Sequence, residues 1–287
     1  MRALGKLFSA RVRYDTLNDV LSKDPNVSRL KVSACIAEHI GDRTEQQDRV
    51  AILTSARHPG ALLAVVADGM GGRTGGRMAA DQVISTADHL FSELSEQDAT
   101  LPQLLRDIAM EAHTVIRLSA IATEKEPHST FVALVVKSNR AVWAHAGDSR
   151  LYFFREGQLM HRTLDQTYAS HLASAGMHEQ AEIASQRFKN ILVSALGIER
   201  EPQISIDETH ELEAGDVFLL CSDGLWPYFE DYELGGMLYD LHPREASRQL
   251  VELARSRAQG RGDNLSLAII KVEANRSGHA LLSDTGE

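Results

Sequence analysis

Ala61-Leu62-Leu63-Ala64-Val65-Val66-Ala67 is an unbroken apolar run that stops abruptly at Asp68-Gly69. A run this short, bounded by turn residues, predicts a strand buried on both faces. A glycine-rich turn follows (Gly71, Gly72, Gly75, Gly76), then two stretches with helical spacing. The first puts Val83, Ile84, Ala87, Leu90, Phe91 and Leu94 on one face. The second does the same with Leu101, Leu104, Leu105, Ile108, Ala112, Val115 and Ile116.

Residues 131–136, 141–146 and 150–154 predict three more strands, with Glu156-Gly157 as a hairpin turn after them. Strands at 204–209 and 217–221, a helix over 244–258 and a last strand at 265–272 complete the reading. The polar, alanine-rich stretch 163–197 predicts short helices on an excursion from the sheet. Strands and helix pairs in this order are no strict βαβ alternation, which favours an α+β layered sandwich over a doubly wound sheet. Residues 1–30 read as an N-terminal extension, 31–273 as the domain and 274–287 as a polar tail.

The chain has 287 residues and a formal net charge of -10. Such a surface repels phosphate backbones, so no nucleic-acid partner is expected. The longest apolar run is far short of the ~20 residues of a membrane helix, and the basic residues Arg2, Lys6, Arg11 and Arg13 precede no signal-type apolar stretch. Cys35 and Cys221 cannot form a disulfide scaffold and read as buried, reduced thiols. The expectation is a soluble, cytoplasmic protein with no membrane insertion.

Four aspartates abut glycines at the edges of apolar strands: Asp68 before Gly69, Asp148 after Gly147, Asp223 before Gly224 and Asp263 after Gly262. A single Asp-Gly is ordinary turn chemistry. Four at strand ends, with no lysines matched to them, suggest carboxylates that share a cation. An all-oxygen site selects Mg²⁺ or Mn²⁺, and no zinc-type spacing of Cys or His exists. Gly69-Met70-Gly71-Gly72-Arg73-Thr74 lacks the last glycine of the dinucleotide fingerprint, and no Gly-Lys-Ser/Thr follows it. Gly41 and Pro227, not arginines, stand six positions after the cysteines, so no cysteine-nucleophile phosphatase is read. No Asp-x-Asp occurs, which removes an aspartyl-phosphate site and an EF-hand.

The segments Gly41-Asp42-Arg43-Thr44-Glu45-Gln46-Gln47-Asp48, Ala67-Asp68-Gly69-Met70-Gly71-Gly72, Ser129-Thr130, Gly147-Asp148-Ser149-Arg150, Cys221-Ser222-Asp223-Gly224-Leu225 and Gly262-Asp263-Asn264 stand in a telling order. In them the chain resembles the metal-dependent Ser/Thr protein phosphatases of the type 2C class, the PPM family, in its bacterial stand-alone form. The resemblance implies a four-layer α/β/β/α sandwich: two antiparallel sheets flanked by helix pairs, with the metal site at one end. It implies hydrolysis of phosphoserine and phosphothreonine by a hydroxide bridging two Mg or Mn ions, with a third, weaker ion beside them.

By position, Asp68, Asp223 and Asp263 would be the catalytic carboxylates, and Asp68 would bridge both ions. Asp48, Gly69 (through its carbonyl) and Asp148 would complete the metal ligands, and Arg43 would hold the substrate phosphate. Residues 163–197 look like the family's flap. The implied partners are phosphorylated proteins in signal transduction, substrates of a Ser/Thr kinase or the kinase itself. A pseudophosphatase that binds phosphoproteins without turnover is the alternative. Three positions depart from the family: Gln47 stands where Glu is common, Met70 where animal members carry a histidine, and Ser129 where glycine is usual.

Overall fold

The computed structural model describes residues 16–18, 30–94, 100–123, 126–188 and 191–275. Of the expected N-terminal extension only β1 (Thr16–Asn18) and Leu30 are therefore described, and the tail beyond residue 275 lies outside the described residues.

Two antiparallel sheets form the centre. One has the order β1-β2-β13-β12-β9-β10, from β1, β2 (Leu30–His39), β13 (Leu265–Ala274), β12 (Asp216–Cys221), β9 (Arg150–Arg155) and β10 (Gln158–Arg162). The other has the order β11-β8-β7-β4-β3, from β11 (Ser205–His210), β8 (Arg140–Ala146), β7 (Phe131–Lys137), β4 (Ala61–Ala67) and β3 (Arg49–Thr54). A two-stranded ribbon, β5 (Gly69–Met70) with β6 (His128–Ser129), sits apart.

Helices α1 (Gly72–Glu93) and α2 (Leu101–Thr123) cover the five-stranded sheet, and α5 (Asp231–Asp240) and α6 (Pro243–Ala258) cover the six-stranded one. The expected four-layer sandwich is what forms.

The strand period of two explains why the central runs are apolar throughout. In β4, Leu63 and Val65 point to the helix layer, where they meet Val83, Phe91, Leu105 and Ile108. Leu62, Ala64 and Val66 point the other way, between the sheets, against Phe218, Leu220 and Ile270. Strand β12 divides likewise, with Phe218 and Leu220 between the sheets and Val217 and Leu219 under α5 and α6. Burying each such side chain stabilises the fold by roughly 1.5–3 kcal/mol before entropy is counted. Both cysteines are buried, and neither is in a disulfide among the described residues.

Residues 163–197 do leave the sheet, as α3 (Tyr168–Ser174) and α4 (His178–Arg187). The two pack on each other through Leu172, Ala181 and Ala184. Strands β2, β3 and β10 and helix α5 go beyond the elements read from sequence. Strand β10 is an edge strand whose side chains are nearly all exposed, so no hydrophobic period marks it. Helix α5 contains Gly235-Gly236, which masks its helical pattern. Its Gly235 lies against Gly157, where an added Cβ would strike the Gly157 carbonyl.

Candidate active site

Strand register gathers the aspartates. Cys221 pairs with Arg150 on one side and Leu267 on the other, so three chain segments meet at one end of the six-stranded sheet. They are the end of β12, the start of β9 and the loop before β13. These segments carry Asp223, Asp148 and Asp263. The facing sheet brings Asp68 there at the end of β4, beside the β3 start, where Arg49 pairs with Ala67. The backbone N–H of Asp68 donates to Thr130 Oγ1 at 2.9 Å, and Thr130 Oγ1 meets Ser149 Oγ at 2.7 Å. Gly224 allows the last approach: a Cβ there would lie 1.9 Å from the Asn264 carbonyl oxygen.

The result is a pocket of about 450 Å³ lined by Asp68, Gly69, Asp148, Asp223, Asp263 and Arg43, among others. Asp48 does not line it. Its carboxyl lies behind, 1% exposed, and accepts a hydrogen bond from Ser222 Oγ at 2.6 Å. Arg43 donates to Asp263 at the rim and is 61% exposed. Asn264 holds the rim together. It accepts from Gln47 N at 2.7 Å and donates to the carbonyls of Ile40 and Glu45 at 2.8 and 2.9 Å. Gln47 also lines the pocket, and its side chain donates to the Gly72 carbonyl at 2.8 Å.

The electrostatics are those of crowded acids. The carboxyl of Asp68 lies among those of Asp48, Asp148, Asp223 and Asp263, each of which acts on its charge. Burial raises the Asp48 carboxyl to about 7, with Asp263 adding repulsion and Ser222 opposing. Burial and then the charges of Asp48, Asp223, Asp148 and Asp263 push Asp68 well up. Asp223 is raised by burial first and then by Asp148, Asp263 and Asp48. Asp148 rises to about 6 through burial and the nearby Asp165. Its neighbour Arg150 does not pair with it, because Nε and Nη2 bind Asp165 at 2.7 and 2.8 Å and Nη1 donates to the Tyr152 hydroxyl at 3.0 Å.

Buried carboxyls that raise one another's charging cost must share protons or a cation. Among the described residues no three of His, Cys, Asp or Glu surround a common point as a finished cage. The donor set, all oxygen and mutually repelling, nonetheless suits a hard divalent cation.

The profile of the family described as Protein phosphatase 2C matches residues 37–259. The chain belongs to the protein phosphatase 2C family. The Serine/threonine protein phosphatase PstP of Mycobacterium tuberculosis is 34% identical over 224 residues, covering 75% of this chain and 41% of that relative. The chain thus spans under half the length of that protein. A crystal structure of the Mycobacterium tuberculosis serine/threonine phosphatase PstP/Ppp superposes with a TM-score of 0.70 at 28% identity, over 84% of this chain and 99% of that one. A structure of the catalytic domain of PstP in complex with two manganese ions gives a TM-score of 0.68 at 28% identity, over 85% of this chain and 99% of that one.

Within this protein phosphatase 2C fold the predicted site residues Arg43, Asp68, Gly69, Asp148, Asp223 and Asp263 surround one pocket, and Asp48 backs it. Sequence reading assigned no role to Thr130, Ser149, Ser222, Trp226 or Asn264. Thr130, Ser222, Trp226 and Asn264 each hydrogen-bond an aspartate of the cluster, and Ser149 bonds Thr130. For three of them the signal was present: Ser149, Ser222 and Asn264 are small polar residues next to strand-end aspartates, whereas Thr130 and Trp226 adjoin none.

Proposed function

We propose that the chain is a protein phosphatase that hydrolyses phosphoserine and phosphothreonine with divalent cations, Mg²⁺ or Mn²⁺, held by Asp68, Asp223 and Asp263. Asp48, the Gly69 carbonyl and Asp148 assist, Asp148 toward a third, weaker ion. One observation carries this reading: Asp68, Asp148, Asp223 and Asp263 line one pocket, the buried Asp48 backs it, and its rim bears the exposed Arg43. Family membership and the PstP likeness support it. When bound, such cations supply Lewis acidity that makes water a nucleophile near neutral pH.

The chain's own residues do the rest. Arg43 swings its fork from Asp263 to the substrate phosphate, charge on charge, with two parallel hydrogen bonds. Asn264 keeps the 40–47 loop at a fixed distance from Asp263, so the phosphate is presented at the acidic floor. Leu192 forms the apolar wall on which the substrate backbone leans. Met70 also lines the pocket but carries no transferable proton, so the leaving oxygen takes its proton from water.

The substrates are phosphorylated proteins, among them targets of a Ser/Thr kinase or the kinase itself, in cytoplasmic signalling. No helix among the described residues is long and apolar enough to cross a membrane. The test is release of phosphate from phosphoserine and phosphothreonine peptides and from an aryl phosphate. Turnover that needs Mn²⁺ or Mg²⁺ and stops with a chelator supports the reading. Full turnover in excess chelator, or none with either ion, overturns it.

A further inference from the structure

We infer that Gln166 is a positioning residue that sets the spacing between Asp148 and Leu192 across the pocket, and thereby its fit to large substrates. The inference rests on the phosphatase reading for its kinetic consequences and on hydrogen bonds alone for the coupling itself. Gln166 lies in the loop between β10 and α3, at the root of the excursion. It lines a separate cleft of about 640 Å³ rather than the acidic pocket.

Five hydrogen bonds converge on this one residue. Its N–H donates to the Gly147 carbonyl at 3.0 Å, and its side-chain Oε1 accepts from the Gly147 N–H at 3.0 Å. Both backbone groups of the residue before Asp148 are thus gripped by Gln166. Its own carbonyl accepts from Val193 N at 2.8 Å. Val193 follows Leu192, which lines the acidic pocket opposite, and Leu192 bridges to Thr167. Finally Nε2 donates to the Gln203 carbonyl and to Ser205 Oγ, both at 3.1 Å, which ties in the chain that leads to β11.

The neighbouring residue reinforces the grip. Asp165 binds the guanidinium of Arg150, whose Cζ lies 3.5 Å from the centre of the Trp226 ring. The Trp226 indole N–H donates to the Asp148 carbonyl at 3.0 Å. The peptide around Asp148 is therefore clamped from Gly147 by Gln166 and from its own carbonyl by Trp226. Gly147 has φ 107°, and a Cβ there would press on Thr130 Cγ2 at 2.8 Å, so this turn cannot be stiffened by its own side chain. An outside group must hold it. The amide of Gln166 is that group, and no other side chain reaches the Gly147 N–H among the hydrogen bonds of the described residues.

An amide is required because the two ends do different work. The oxygen end faces a donor on the Asp148 side, and the nitrogen end faces acceptors on the β11 side. Gln166→Ala removes both ends. Gln166→Glu keeps the acceptor for Gly147 but sets a carboxylate oxygen against the Gln203 carbonyl. The two variants therefore separate the two walls.

The experiment compares full-length wild type, Gln166→Ala and Gln166→Glu. Amide exchange is followed by NMR on chelator-treated protein, and kinetics are run in saturating Mn²⁺ with an aryl phosphate and a phosphothreonine peptide. In Gln166→Ala, exchange at Gly147 should quicken by ~5-fold or more, the scale of one lost hydrogen bond. Its kcat should fall by ~10-fold or more on both substrates, as expected for a displaced active-site group. In Gln166→Glu, Gly147 should stay protected and kcat on the aryl phosphate should stay within about twofold of wild type, on the same scale. Exchange at Ser205 should quicken and KM for the peptide should rise. Wild-type exchange at Gly147 in Gln166→Ala overturns the inference, as does equal loss of Gly147 protection in both variants. If the wild type itself turns over neither substrate, the phosphatase reading falls, and the exchange pattern decides the coupling alone.

Discussion

Ser222 and Asp48 are 174 residues apart in sequence, yet the Ser222 hydroxyl donates to Asp48 Oδ2 at 2.6 Å inside the protein. The same hydroxyl accepts from Ser266 N at 3.0 Å, so one small side chain joins β12, β13 and the loop before β3. Ser222 follows Cys221 at the end of β12 and precedes Asp223. It holds the buried carboxyl that backs the pocket while its neighbour faces the pocket itself.

Ser222→Ala should therefore lower stability by about 1–3 kcal/mol, the cost of leaving a buried carboxyl and a buried N–H without their partner. Mn²⁺ affinity should weaken in the same variant, because Asp48 loses its orientation. Calorimetric unfolding and metal titration check both. Unchanged values in both would show that Asp48 is held by other means.

Asp68→Asn isolates the crowding of acids. Four other aspartates raise the energy of a charge at Asp68. In chelator the variant should unfold at a higher temperature than wild type, by roughly 1 kcal/mol of stability, since a repulsive buried carboxyl is gone. In Mn²⁺ its turnover should drop by at least ~10³-fold, the scale of losing a principal catalytic group. A variant that keeps a tenth of wild-type turnover would disprove a central role for Asp68.

Arg43→Ala should raise KM for a phosphopeptide more than it lowers kcat. A rim arginine grips the phosphate in ground state and transition state alike. Arg43→Lys should recover only part of the loss, lacking the planar fork. Steady-state kinetics on the three proteins decide it, and an unchanged KM in Arg43→Ala would mean that Arg43 serves Asp263 alone.

Asp42, beside Arg43, gives a pH signature. Arg255 binds both its oxygens at 2.7 and 2.8 Å, and Gly262 N donates to it at 2.7 Å. Together they hold its carboxyl down to about 2, from 3.8, with the Arg255 bond foremost. The folded value lies below the unfolded one, so this contribution to stability is complete above pH ~4 and is lost as pH falls toward ~2. Arg255→Ala should thus be less stable than wild type at neutral pH, and the gap should narrow between pH 4 and 2. Urea titrations across that range test it, and a gap independent of pH would rule out the pair as its source.

The sequence by itself determined the layers and named the acids. Leu62 through Val66 are apolar at every position because both faces of β4 are covered. Val83, Ala87 and Phe91, or Leu105, Ile108 and Ala112, repeat at helical spacing because only one face of each helix is. These patterns are written by near neighbours and survive without knowledge of the rest of the chain. So does the rule that a carboxylate ending a buried strand needs a partner.

Only the tertiary structure decided which residues stand together. Antiparallel register brings Asp148, Asp223 and Asp263 to one sheet end, sends Asp48 behind the pocket and joins Arg43 to Asp263 across 220 positions of sequence. Strand β10 was likewise illegible, for an exposed edge strand is fixed by backbone hydrogen bonds to β9, and those bonds are nearly blind to side-chain type. The grip of Gln166 on Gly147 belongs with these. A glutamine in a polar loop carries no local pattern, and its five bonds exist only once the β8–β9 turn and the returning chain have been folded against it.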